Sequence, residues 1–153
     1  MNGIDGLVAC AGNWRGTNPL HDPTSGRPDE TPSELSVTPV LGGRFLRLDY
    51  TWTYRGSPQE GSLLVGFDPG AREVSGHWID SRHMGRKVMA CFGPAAADGT
   101  VSVKGSYAAP SGPDWGWRID ITPRSGDSVK VVHINIDPEG SEYPAVEAAY
   151  SRA

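Results

Sequence analysis

Hydrophobic and polar positions alternate with a period of two along most of this chain, the spacing that sends successive side chains to opposite faces of a β-strand. Leu46, Leu48, Tyr50, Trp52 and Tyr54 share one face, and Arg47, Asp49, Thr51 and Thr53 share the other. Trp115, Trp117, Ile119 and Ile121 repeat the pattern opposite Arg118 and Asp120. Strands are predicted at about 12–20, 35–40, 43–55, 59–68, 72–84, 86–93, 100–108, 115–123, 128–136 and 142–152. The joins are short and turn-forming, among them Gly56-Ser57-Pro58, Asp68-Pro69-Gly70, Asp98-Gly99, Ser125-Gly126-Asp127 and Pro138-Glu139-Gly140, so neighbours in sequence pair as antiparallel hairpins. Ile4, Leu7 and Val8, with Ala9 and Ala11, predict one short N-terminal helical turn ending at Gly12. Residues 21–34 carry three prolines and no Val, Ile or Leu, which reads as a surface loop. A meander of about ten strands would leave two long edges open to aggregation, and closure into an up-and-down barrel removes both. Such a barrel is wider than one that side chains fill, so a small-molecule cavity is expected inside it.

Composition narrows the class. The 153 residues suit one domain with a single core, and 20 glycines and 13 prolines punctuate runs rich in β-formers. The net charge is −4, with basic residues scattered singly, so neither nucleic acid nor a membrane surface is an expected partner. No apolar run approaches the roughly 18 residues of a membrane helix. Leu7-Val8-Ala9-Cys10 resembles a bacterial lipoprotein cleavage box, but Met1 to Gly6 supply neither a basic region nor an apolar stretch before it. A cytoplasmic location is therefore expected, with Cys10 and Cys91 as reduced, buried thiols.

Two terminal features belong together. Gly12-Asn13-Trp14 opens the first strand and Arg152 closes the last, a pairing that resembles the calycin signature of lipocalin-like barrels. The resemblance implies a structural role for Gly12, Trp14 and Arg152, with the arginine packed on the indole at the closed end. Gly12-x-Trp14-x-Gly16 also resembles the opening of the nitrobindins, ten-stranded barrels that hold haem through a histidine of their final strand. The final strand here, Tyr143 to Arg152, has no histidine, so haem would need Tyr150 or His133 instead. The wider match lies in Gly12-Asn13-Trp14-Arg15-Gly16, Trp78-Ile79-Asp80-Ser81-Arg82-His83-Met84, Gly105-Ser106-Tyr107 and Gly112-Pro113-Asp114-Trp115-Gly116-Trp117-Arg118-Ile119. These segments are similar to the bacterial proteins grouped as domain of unknown function 1579. That resemblance implies the barrel and brings no activity with it.

Candidate chemistry is sparse. His77, Asp80 and His83 spell H-x-x-D-x-x-H, yet along an extended strand at about 3.3 Å per residue the two histidines stand roughly 20 Å apart with Asp80 on the opposite face. No metal site is expected from them. His83, at the strand's end near a turn, is a candidate rim contact or general base. His133 shares a face with Val131 and Asn135 and either points into the barrel or is satisfied across the sheet. Trp115 and Trp117, with Tyr107 on the preceding strand, form either an aromatic wall for a flat ligand or core packing. Arg118 reads as an ion-pair partner of a neighbour of Asp120 or of Asp80 rather than an anion clamp, and Glu147 as a surface carboxylate or a cavity acid. No phosphate-binding Gly-Lys-Ser/Thr loop, G-x-S-x-G elbow, dinucleotide fingerprint or CxxC pair occurs.

The leading expectation is a carrier or sensor for a small hydrophobic or aromatic molecule. Its contacts would be Tyr107, Trp115, Trp117, His83, His133 and Asn135. Beside it stand an enzyme using His83, Asp80 or Glu147 for acid–base chemistry, and a structural module that associates through its surface, for example as a homodimer.

Overall fold

The computed structural model describes residues 3–21, 28–124 and 126–153. A single helical turn, α1 (Asp5–Val8), precedes ten strands: β1 (Gly12–His21), β2 (Pro28–Val40), β3 (Phe45–Tyr54), β4 (Ser57–Asp68), β5 (Glu73–Asp80), β6 (Met89–Pro94), β7 (Val101–Tyr107), β8 (Trp115–Arg124), β9 (Ser128–Ile136) and β10 (Glu142–Arg152). Every sequential pair is antiparallel, and β1 pairs with both β2 and β10, so the sheet closes into a ten-stranded barrel. The closing register sets Trp14 opposite Arg152 and Gly16 opposite Tyr150. Gly16 is required there, because a Cβ at that position would collide with the Ala149 carbonyl oxygen.

Period-two alternation fixes what lies inside. Leu46 and Leu48 of β3, Leu63 and Val65 of β4, Val101 and Val103 of β7, and Ile119 and Ile121 of β8 are all buried. At the end where β1 begins, α1 acts as a plug, with Ile4 and Leu7 fully buried. The Trp14 indole donates to the Cys10 carbonyl at 2.8 Å. The Arg152 guanidinium lies 4.2 Å over the Trp14 ring and donates to the carbonyls of Ala11 and Ala9. One side chain thus ties the last strand, the first strand and the end of α1. Cys10 and Cys91 are free and buried, and burial pushes the Cys91 thiol up to about 11.

Three sequence expectations need correction. The loop expected across 21–34 is strand from Pro28 onward, and its residues 22–27 lie outside the described ones. Residues 28–34 pair with β1 but not in register with β3, and a strand bonded on one side tolerates Pro32. The strand expected over 72–84 ends at Asp80, whose Oδ1 accepts the amides of Arg82 and His83 and turns the chain. Nor do the described residues enclose a ligand-sized hollow. Trp14, Trp52, Trp78, Trp117 and Tyr150, all buried, fill the bore and leave two inner spaces of about 20 and 10 Å³. A water molecule needs roughly 10–15 Å³, so each space has room for about one.

Candidate functional site

The strands run so that β3, β5 and β7 finish, and β6, β8 and β10 start, at the end of the barrel opposite α1. That mouth gathers the aromatic and titratable side chains. Trp78 of β5 and Trp117 of β8 stack with ring centroids 5.2 Å apart and planes 10° from parallel. His83, on the loop joining β5 to β6, lies against three indoles: Trp52 at 5.7 Å and nearly parallel, Trp78 at 5.8 Å and Trp117 at 5.7 Å. The imidazole is thus stacked on Trp52 and lies tilted beside the Trp78–Trp117 pair, in a slot bordered by three indoles. His133 of β9 meets the same Trp78–Trp117 pair further in, at 5.3 and 5.6 Å.

Asp80 organises this arrangement. Its Oδ2 accepts the Tyr50 hydroxyl at 2.5 Å and the Trp52 indole at 3.3 Å, while its Oδ1 accepts the two loop amides. Trp78 in turn donates to the Tyr50 oxygen at 2.9 Å. Four donors thus converge on one buried carboxylate. Tyr50 leans over Gly61, where any Cβ would strike its ring. Burial first, and then Asp80, hold the Tyr50 phenol well above its ordinary range.

Both histidines are biased toward the neutral form. Burial pushes His133 down to about 3, and His83 adds to this. The His133 Nδ1 accepts the Trp117 indole at 3.1 Å, which leaves the ring's proton on Nε2. Burial also lowers His83, against the pull of Asp80 and with help from Arg82.

Of the residues expected in a ligand site, the fold brings Trp117, His83 and His133 into direct ring contact. Tyr107 touches Trp117 edge-on at 6.4 Å and donates to Asn135 at 2.6 Å, bracing the wall from behind. Trp115, half-buried and paired with Tyr107, stands at the rim outside the stacked group. His77 faces outward against Phe92, away from Asp80, and among the described residues no His, Cys, Asp or Glu group is arranged to hold a metal. Arg118 pairs with Asp120 and Glu142 rather than Asp80. Glu147 is exposed and takes no part in the site.

Sequence reading passed over Asn18, Tyr50, Trp52 and Trp78 as site residues. For Asn18 a signal existed: it follows Trp14 and Gly16 at period two, which makes it a polar residue on the inner face. Haem does not fit these residues. The Tyr150 hydroxyl is engaged with Ser33 at 2.7 Å, the His133 Nδ1 is taken by Trp117, and about 20 Å³ cannot admit a porphyrin.

Fold and site together define a closed ten-stranded antiparallel barrel with an aromatic mouth. The chain belongs to the family described as protein of unknown function (DUF1579), which it matches over residues 5–152. No curated protein matches it. A similar solved structure is the crystal structure of Rv2717c from M. tuberculosis, 15% identical, covering 99% of this chain and 97% of that one with a TM-score of 0.62. That likeness concerns the fold.

Proposed function

We propose that this protein binds a flat aromatic small molecule at the barrel mouth, in the slot between Trp52, Trp78 and Trp117 that the His83 ring fills when the β5–β6 loop is closed. The observation that carries this reading is His83 itself. A flat heteroaromatic ring already sits within 5.8 Å of three indoles, so the slot has the shape and surface that such a ligand requires.

Entry needs the loop to move, and its construction suits movement. Gly85 to Val88 are exposed, and Met84 and Gly85 both have positive φ, a sharp bend that concentrates rotation at two residues. On the outer side, an open groove of about 810 Å³ is bordered by Gly85, Arg86 and Lys87 and reaches Tyr50 and Asp80. The loop therefore has space to swing into, and its departure would join that groove to the slot. Each aromatic contact of His83 is worth about 0.5–1.5 kcal/mol beyond area burial, so an incoming ligand must replace a few kcal/mol.

His83 is thus a competitor for the slot rather than a ligand contact. Its replacement makes the opposite prediction from the loss of a binding residue. Titration calorimetry with 2-naphthol should show His83→Ala binding at least about tenfold more tightly than wild type, because no closed population has to be displaced. Absence of heat and of thermal stabilisation in both proteins, with the fold intact, would remove the reading. Acid–base catalysis draws less support, since all four Asp80 contacts are spent on positioning and Glu147 lies elsewhere.

A further inference from the structure

We infer that the occupant of the slot is a neutral aromatic molecule with a hydrogen-bond donor, a hydroxyl or ring N–H, on its leading edge, and that Asn18 reads this donor. The inference rests on the slot reading above and adds what the ligand must carry. Its basis is a single unpaired atom. Asn18 is 4% exposed, and its Oδ1 is the one buried side-chain nitrogen or oxygen without a hydrogen-bond partner among the described residues. Leaving such an acceptor dry costs about 1–3 kcal/mol, a penalty that a sequence sustains when something else satisfies the atom.

The position of Asn18 says what that is. The smaller inner space lies directly beneath His83, and the larger one lies deeper; Asn18, Tyr50, Trp78, His133 and Val146 border both. Asn18 is therefore at the neck where a ring entering past the tryptophans would lead with its edge. Three other acceptors near the neck are already engaged: the Tyr50 oxygen with Trp78 and Asp80, the His133 Nδ1 with Trp117, and the Tyr150 oxygen with Ser33. Among the described residues the Asn18 Oδ1 is the buried acceptor left without a partner there, and an acceptor selects a donor.

Charge selects as well. Beyond the neck the walls include Leu35, Leu48, Leu63, Ile119 and Ile121, and none of the described residues lining that space is an Asp, Glu, Lys or Arg that could pair with an ionised ligand. The downward push on His133 by the same surroundings is a second sign that a charge is unwelcome there.

Three ligands of one shape separate the possibilities: naphthalene, with no polar edge; quinoline, with an acceptor only; and 2-naphthol, with a donor. Calorimetry is done on the His83→Ala protein and on His83→Ala with Asn18→Leu. The expected result is 2-naphthol at least about tenfold tighter than naphthalene and quinoline in the first protein, a gap of about 1.4 kcal/mol, with the preference abolished in the second. Equal affinities for all three in the first protein would overturn the donor requirement while leaving the slot standing. An unchanged preference in the second protein would overturn the role of Asn18. Binding of none of the three removes slot and donor rule together. If Asn18→Leu does not fold, as judged by circular dichroism, the ligand series in the first protein still decides, with Asn18→Ala as the substitute variant.

Discussion

Asp80 accepts hydrogen bonds from two side chains of β3 and two amides of the following loop, so one carboxylate fixes both a wall of the slot and the start of its cover. An asparagine cannot repeat this, because its amide nitrogen would face donors on one of the two sides. Asp80→Asn should therefore cost about 3 kcal/mol in urea unfolding, with one or more buried donors left unmet. It should also free the loop, seen as faster amide exchange at Arg82 and His83 than at Met89. A substitution that leaves both stability and exchange unchanged would show that Asp80 positions nothing. The same residue exposes a limit of reading along the chain. An extended strand to residue 84 sends Asp80 and His83 to opposite faces, whereas the turn that Asp80 caps folds His83 back over the mouth.

At the scale of elements, the join between β1 and β10 is where closure is decided. Gly16 lets the two backbones approach, and Trp14 with Arg152 locks them one step further along. Gly16→Ala forces the strands apart at that point and should lower stability by about 3 kcal/mol, measured by chemical denaturation. An effect under about 0.5 kcal/mol would mean that the strands relax freely there. Strand count and most boundaries were legible because turn chemistry and alternation are local. β9 and β10 span the residues expected of them, and β8 exceeds its range by one. The first half of β2 was not legible, since its ladder is made by the backbone of β1, and side-chain composition does not report backbone pairing.

For the whole molecule, the buried neutral histidine predicts acid sensitivity. His133 titrates near 6.5 in the unfolded chain and about 3 in the fold. Its contribution is thus fully present above pH about 6.5 and is lost as pH falls toward 3, because the unfolded state takes up the proton first. Between pH 7 and 4.5 this amounts to about 3 kcal/mol from this one group. His133→Gln, which keeps an acceptor for Trp117, should show a correspondingly flatter decline in urea-derived stability over that interval. Parallel declines in the two proteins would place the acid sensitivity in other groups.

Period-two alternation, turn residues and the Gly-x-Trp and Arg152 pairing determined that this chain forms about ten strands and where the circle closes. Each of these is written in neighbouring residues or in a pair of conspicuous ends. Tertiary structure alone decided that the bore is filled, that His83 lies among three tryptophans, and that Asn18 is left without a partner at the neck. The physical reason is that interior volume and hydrogen-bond satisfaction are sums over side chains from β1, β3, β5, β8 and β9. Those side chains meet only after register and curvature are set, and no local stretch of sequence contains that sum.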